Sequence, residues 1–180
     1  MCYSDLYSSN SECANPAAVL ILLFPVKQDI RFFLTKRTNV VQHHKGQISL
    51  PGGAWEEGEQ LWETALRETN EEIGVRAERI QFMGALTPLF VPVTGFLIHP
   101  FVGWVDDKPE TYPDPTEVES LFAVSVSALM DQNSCQREEQ TIRDYVFDVP
   151  YFLLNKQKVW GATSMVLSEF KTVLKKVIDE

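Results

Sequence analysis

The stretch that decides the fold is GAWEEGEQLWETALRETNEEIGV, which occupies residues 53–75. Between Gly53 and Glu72 it holds seven acidic residues and a single base, Arg67. Its pattern predicts a helix over residues 60–73, and Gly74 follows in the usual position of a C-terminal glycine. The stripe expected to face the core consists of Leu61, Ala65, Thr69 and Ile73.

Three glutamates of this helix, Glu68, Glu71 and Glu72, stand at positions i, i+3 and i+4. A helix places all three carboxylates on one face, where like charges repel one another. The spacing alone leaves two interpretations open: a solvated acidic face, or a site whose oxygens hold Mg²⁺ or Mn²⁺ and clamp a phosphate. The Gly-Gly pair at residues 52–53 and the neighbouring Arg67 favour the metal site.

Outside this helix, the sequence predicts strands and one further helix. The apolar run at residues 17–24 is typical of a buried strand, and residues 30–36 are its expected partner across a turn at 28–29. Further strands are predicted at 79–86, 96–105, 117–124 and 141–149, and a helix at 163–178 with Val166, Phe170, Val173, Leu174 and Val177 on one stripe. Strands mixed with two separate helices favour an α+β fold with a mixed or antiparallel sheet. We expect a single domain over residues 16–180 after a flexible lead-in at 1–15.

Composition excludes several classes of partner. The 180 residues include 25 acidic and 16 basic side chains, for a net charge of −9, so non-specific binding to nucleic acid or to anionic membranes is not expected. Cys2, Cys13 and Cys135 are too few for a disulfide framework. The N-terminus has no basic start, and no apolar run reaches the length of a membrane span. We therefore expect a cytoplasmic protein, and a homodimer is compatible with the sequence.

The acidic helix and the loop before it resemble the Nudix box. Gly53, Glu59 and the run RETNEEIGV at residues 67–75 supply the fixed glycines, glutamates and arginine of that motif at its spacing. Thr69 stands where the family usually has an aliphatic residue. The resemblance implies a Nudix fold, a mixed sheet sandwiched between helices, in an enzyme that cleaves a nucleoside diphosphate joined to another moiety.

The resemblance also implies roles for individual residues. Glu68 and Glu72 are similar to the family's main ligands of Mg²⁺ or Mn²⁺, and Glu71 would be a further ligand or the base that activates water. Gly53 would offer its backbone carbonyl to the metal, and Arg67 would pair with Glu59. Two acids farther along, Glu117 and Glu119, would complete the metal shell, act as base, or simply be exposed loop acids; we prefer Glu117 of the two.

A second resemblance concerns the substrate. Residues 33–38, then Gln42, Gly46 and residues 50–53, resemble the signature of the coenzyme A pyrophosphatase branch. Gln42 stands where that branch typically has arginine, and Leu50 replaces phenylalanine. Segments 95–103, 117–130 and 160–163 resemble the same branch. The implied reaction splits coenzyme A or its thioesters into 3′,5′-ADP and 4′-phosphopantetheine products.

Residues 27–45 contain five bases and one acid, so an anionic substrate is expected between this segment and the acidic helix. The predicted substrate-binding residues are Lys36, Arg37, Lys45, Gly46 and Gly52.

The sequence offers more than one interpretation for three further features: a histidine pair, a tryptophan and an apolar segment. His43 and His44 are interpreted as a polar loop pair, and Trp160 as a core aromatic rather than a substrate platform. Residues 88–96 either cover a pantetheine arm or pack on the sheet.

Two alternatives to the coenzyme A reaction stay open. One is a Nudix enzyme for ADP-ribose, NADH or another nucleotide. The other is a non-catalytic nucleotide sensor, against which the intact glutamates speak.

Overall fold

The computed structural model describes residues 14–38, 46–142 and 145–178. The strands in these ranges are β1 (Asn15–Val26), β2 (Asp29–Arg37), β3 (Ile48–Ser49), β4 (Gly52–Ala54), β5 (Gln81–Ala85), β6 (Leu89–Val91), β7 (Phe96–Trp104), β8 (Val118–Ser125), β9 (Cys135–Ile142), β10 (Tyr145–Leu154) and β11 (Gln157–Val159). The helices are α1 (Leu61–Ile73), α2 (Val126–Met130) and α3 (Gly161–Ile178), with short 3₁₀ turns at Ala77–Arg79 and Gln132–Ser134.

The central strand is β1, which carries the apolar run predicted to be buried. It pairs antiparallel with β2 and β4 and parallel with β7, in a sheet of order β3-β2-β1-β7-β5. β4, β6 and β8 join this sheet by pairing with β1, β7 and β2. The predicted mixed sheet is confirmed.

Both faces of β1 are covered, which explains why its sequence is apolar without alternation. Leu20 and Leu22 pack on one face in a cluster that includes Ala65 of α1. Ile21, which points to the opposite face, packs in a second cluster with Leu167 and Phe170 of α3. The sheet thus lies between two helical layers, as the predicted α/β/α arrangement requires.

Helix α1 has the ends that its sequence predicts. Gln60 precedes it in a reciprocal capping box with Glu63, and Gly74 ends it in the left-handed conformation at φ 74°. The Gly74 amide donates to the Asn70 carbonyl at 2.8 Å, which closes the last turn. The core stripe is confirmed at three positions, since Ala65, Thr69 and Ile73 are buried.

Two predictions about the C-terminal third were wrong. The strand expected at 141–149 spans parts of two strands, β9 and β10, which pair antiparallel with each other and, through β11, form a separate three-stranded sheet. The sequence of β9, CQREEQTI, has no apolar alternation because its described residues alternate only between exposed and half-buried. In α3, Val166 and Phe170 are buried and Leu174 packs against the same core cluster, but Val173 and Val177 are 41% and 65% exposed, so these two valines do not belong to the core-facing stripe.

Two further predictions concern the N-terminal lead-in and membrane-spanning helices. The predicted lead-in lies mostly outside the described residues, and β1 already begins at Asn15. Within the described ranges, no helix combines the length and the apolar character that crossing a membrane requires.

Gly52 lets β4 approach β1 closely. It stands opposite Val19, with φ at 151°, and an added Cβ would lie 2.3 Å from the Ala18 carbonyl oxygen and 2.6 Å from the Val19 Cα. Both contacts are with backbone, which cannot move aside without breaking the pairing. No side chain is tolerated at this position.

We predict that Gly52→Ala lowers the free energy of unfolding by about 2 kcal/mol or more, because strain and overlap add. Urea unfolding followed by circular dichroism measures the change. The matched control is Gly84→Ala, where an added Cβ would meet no atom within 4 Å. Equal stability of the two variants would contradict the close approach of β4 to β1.

Candidate active site

Arg67 joins the loop before α1 to the helix itself. Its Nε and Nη2 donate to the two carboxylate oxygens of Glu59, at 3.1 and 3.0 Å, and Nη2 also donates to the Ala54 carbonyl at 2.9 Å. Glu59 accepts two more hydrogen bonds, from the Glu56 amide at 2.9 Å and from Thr64 Oγ1 at 2.7 Å. The hydrogen bonds from Arg67 are the main reason that the pKa of Glu59 falls from 4.5 to about 2. The pairing of Arg67 with Glu59 that the resemblance implies is present.

The same guanidinium also contacts two of the three helix glutamates. Arg67 Nη1 donates to Glu68 Oε1 at 2.8 Å and to Glu71 Oε2 at 2.9 Å. Glu71 is largely exposed, whereas the partial burial of Glu68 raises the pKa of its carboxyl group. An added Cβ on Gly53 would lie 2.4 Å from the Glu68 carboxylate, so a glycine is needed at this position for the carboxylate to occupy its place.

Glu72 is the buried member of the triplet, with its side chain only 2% exposed. One carboxylate oxygen accepts from Arg37 Nη1 at 3.1 Å, and the other accepts from the Gly52 amide at 3.4 Å. Desolvation raises the pKa of Glu72 to about 8, against the opposing effect of the Arg37 charge. Arg37 Nη2 also lies 3.7 Å from the Glu117 carboxylate, so this arginine links β2, α1 and the loop before β8.

The donors in this region fit a hard divalent cation. Carboxylate and carbonyl oxygens are the ligands that Mg²⁺ and Mn²⁺ prefer. Glu72 is a buried carboxylate beside a glycine pair that leaves the Glu68 carboxylate free of steric overlap. As the side chains of the described residues stand, no three of His, Cys, Asp and Glu form a group that could hold a metal. Arg67 and Arg37 engage the three helix glutamates. A bound cation would therefore take these carboxylates from the arginines.

A cavity of about 660 Å³ opens beside the glycine pair, with Arg37, Gly52 and Gly53 in its wall. Residues of β6 and β7 and the turn between them line one side, and the start of α3 lines another. These residues are Val91, Val93, Thr94, Phe96 and Ile98 on the first side and Trp160, Gly161, Ala162, Thr163 and Val166 on the second. The remaining wall comes from β1, β3, β4 and their flanks, with Ala17, Val19, Gln47, Ile48, Ser49, Leu50 and Ala54.

The predicted substrate-binding residues have different positions. Arg37 and Gly52 line the cavity. Lys36, one position earlier on β2, instead pairs with Glu119 at 2.5 Å, at a point where the register between β2 and β8 shifts. Gly46 donates its amide to the Arg37 carbonyl at 3.2 Å. Gln42, His43, His44 and Lys45 lie outside the described residues.

The interpretation of Trp160 as a core aromatic was wrong. Its side chain is 42% exposed and lies in the cavity wall, while the preceding Val159 is fully buried. Residues 88–96 pack on the sheet, since β6 pairs with β7, and Val91 and Phe96 of the same segment also line the cavity.

Sequence reasoning missed the contributions of Ser49 and Thr163 to the cavity wall. They are far apart in the sequence and belong to no shared motif.

We predict that Glu59→Gln destabilises the protein by about 1–2 kcal/mol at pH 7, since the partly exposed charge pair with Arg67 is lost. The folded-state pKa of Glu59 is depressed, so its contribution is fully present above pH 4.5 and disappears as the pH falls towards 2. Urea unfolding at a series of pH values measures the difference between wild type and variant.

The control for this series is Glu57→Gln, which removes the same charge from an exposed loop position. Its stability should follow that of the wild type at every pH. A difference between wild type and Glu59→Gln that stays constant from pH 7 to pH 2 would exclude the assigned ion pair.

The family model described as "NUDIX domain" matches residues 14–145, which include the acidic helix, the glycine pair and most of the cavity wall. Nudix hydrolase 3 of Caenorhabditis elegans is 30% identical over 92% of this chain and 76% of its own length. The mitochondrial coenzyme A diphosphatase NUDT8 of Homo sapiens is 31% identical over 86% of this chain and 66% of its own length.

Solved structures agree on the fold. The Nudix hydrolase RenU from M. smegmatis superposes with a TM-score of 0.62 over 92% of this chain and 86% of that one, at 18% identity. The NUDIX domain of Shewanella oneidensis NrtR, solved with ADP ribose, gives a TM-score of 0.51 over 72% of this chain and 87% of that one, at 15% identity. The matched family model and the relatives identical at 30% or above show that the chain belongs to the Nudix family and is a Nudix hydrolase.

Proposed function

We propose that this hydrolase splits the diphosphate of coenzyme A or of an acyl-coenzyme A into 3′,5′-ADP and 4′-phosphopantetheine or its acyl form. The observation that carries the proposal is the cavity, which begins at Arg37 and the glycine pair and continues between largely apolar walls. A diphosphate at the charged end leaves room for an extended, weakly polar group along the rest. The human relative named as a coenzyme A diphosphatase supports the same substrate.

Nudix hydrolases generally use divalent metal ions. In this chain Glu68 and Glu72, with Glu71 and the Gly53 carbonyl, would hold Mg²⁺ or Mn²⁺. A bound cation of this kind neutralises diphosphate oxygens and lowers the pKa of a bound water.

The other residues of the site act by position. Arg67 fixes the loop that carries Glu59 and sets the direction of the Glu68 and Glu71 side chains. Arg37 lies between Glu72 and the cavity, where its guanidinium can donate two parallel hydrogen bonds to phosphate oxygens. Glu71 and Glu117 are exposed enough to take a proton from an attacking water, and either serves as the base in this proposal.

A second substrate class has an observation in its favour. A structural relative, the NUDIX domain of NrtR, was solved with ADP ribose. ADP-ribose and NADH are therefore the alternative substrates, and binding of a nucleotide without turnover is the alternative from a different class.

Product analysis separates these alternatives. The protein is incubated with Mg²⁺ and, in turn, with coenzyme A, octanoyl-coenzyme A, ADP-ribose and NADH, and the products are identified by mass spectrometry. We expect 3′,5′-ADP from the first two substrates, formed at least about tenfold faster than any product of the others, because distinct second halves contact the cavity differently. Cleavage of ADP-ribose alone would overturn the proposed substrate, and no cleavage of any would favour the binding protein.

The role of Glu72 is tested by Glu72→Gln. Because the amide cannot act as an anionic ligand, metal-dependent turnover is expected to fall by about 100-fold or more. Glu57→Gln is the matched control, with the same change from carboxyl to amide at an exposed position. Turnover of Glu72→Gln within a few-fold of the control would remove Glu72 from the site.

Gly53→Ala tests the site without changing any charged group. The new Cβ would overlap the Glu68 carboxylate, which is the mobile end of a side chain, so Glu68 moves while the fold is retained. We expect Mn²⁺ affinity, measured by titration calorimetry, to fall by about tenfold or more. Wild-type affinity in a folded Gly53→Ala variant would show that the position of Glu68 does not matter for the metal.

A further inference from the structure

Charge is distributed unevenly around the cavity wall. Among the described residues of its wall, Arg37 is the single charged side chain, and it stands at the end beside Gly52 and Gly53. Away from that end the wall is mostly aliphatic and aromatic, with a few neutral polar groups such as Ser49 and Thr163. A charged group placed among these apolar residues would lose hydration without gaining a counter-ion from the described part of the wall.

The apolar part of the wall suits one half of the proposed substrate better than the other. The adenosine half carries a phosphate monoester, whose transfer from water to an apolar wall is strongly unfavourable. The pantetheine half is an uncharged, flexible arm with amide groups, and it ends in a thiol or in a thioester with an acyl chain. The second half therefore matches the described apolar part of the wall.

The outer part of the cavity has two exposed apolar side chains. Val93, in the turn between β6 and β7, is 95% exposed, and Trp160, before α3, is 42% exposed, yet both line the cavity. Trp160 is held between the fully buried Val159 and Gly161, which has a left-handed φ of 63°. The indole therefore lies in the cavity wall and is partly open to solvent.

We propose that this cavity binds the pantetheine arm of the substrate and that Val93 and Trp160 contact an apolar acyl group at its end. The proposal rests on the proposed function and makes it narrower: the preferred substrates are coenzyme A thioesters with apolar acyl chains. Contact with two apolar side chains removes acyl surface from water, so affinity increases with chain length until the rim is covered.

The test compares octanoyl-coenzyme A with free coenzyme A. We expect the wild type to have a KM for the octanoyl thioester at least about tenfold lower, since each buried methylene contributes to binding. Val93→Asp places a charge at the rim of the cavity and should raise the KM for octanoyl-coenzyme A by about tenfold, with a much smaller effect on free coenzyme A. The matched control, Val177→Asp, introduces the same charge at an exposed valine of α3 outside the cavity and should behave as the wild type.

Trp160 gives an independent measurement. Trp160→Ala should raise the KM for octanoyl-coenzyme A, and Trp160→Phe should restore part of the loss because it keeps an apolar ring. Titration calorimetry with S-octanoyl-4′-phosphopantetheine needs no turnover. It should show binding to the wild type that Val93→Asp and Trp160→Ala both weaken by about tenfold, whereas binding of 3′,5′-ADP is unaffected by Val93→Asp.

Different results would overturn the assignment of the cavity and the proposed diphosphatase activity. If the wild type cleaves coenzyme A but the ratio of the two KM values is the same in wild type, Val93→Asp and Trp160→Ala, the assignment of the cavity is overturned and the proposed function is retained. If the wild type cleaves neither coenzyme A nor its octanoyl thioester, the proposed function fails and the assignment of the cavity fails with it.

Discussion

The constraint on which the site depends is the close approach of the glycine pair to two elements at once. Gly52 lies against the backbone of β1, and Gly53 leaves the space that the Glu68 carboxylate occupies. The amide of Gly52 also donates to the buried Glu72. Because neither glycine has a side chain, one short strand holds the central sheet, the acidic helix and the cavity wall in a single arrangement. The pairing of β4 with β1 therefore fixes the positions of the site residues that contact the two glycines.

Features of the fold and the site could be predicted from the sequence where the residues involved lie close together along the chain. Helix α1 and its glycine end were predicted from local spacing, whereas the pairing of Arg67 with Glu59 was implied by the family resemblance. The mixed sheet followed from the order of elements and from the apolar run of β1. By contrast, the contact of Arg37 with Glu72 joins residues 35 positions apart through the packing of β2 beside α1. No spacing rule reveals that contact.

The errors also have physical causes. β9 was missed because a strand that buries little of either face needs no apolar alternation, so its charged sequence CQREEQTI gives no strand signal. Val173 and Val177 were assigned to the core-facing stripe of α3 because hydrophobic spacing shows which side of a helix is apolar but not how far its partner sheet reaches. Trp160 was assigned to the core because aromatic residues usually lie there, whereas the turn at Gly161 places it at the cavity.

The distribution of charge links these observations. The helix glutamates would repel one another, yet two arginines from different parts of the fold compensate them: Arg67 on the same helix and Arg37 from β2. Arg67 is also bound to Glu59 and to a backbone carbonyl, which hold its position. Arg37 has one buried partner and one partly exposed partner, and it faces the cavity. A cation at these glutamates would compete with both arginines for the carboxylates, but Arg67 would keep its contacts with Glu59 and the Ala54 carbonyl, and Arg37 would keep its contact with Glu117.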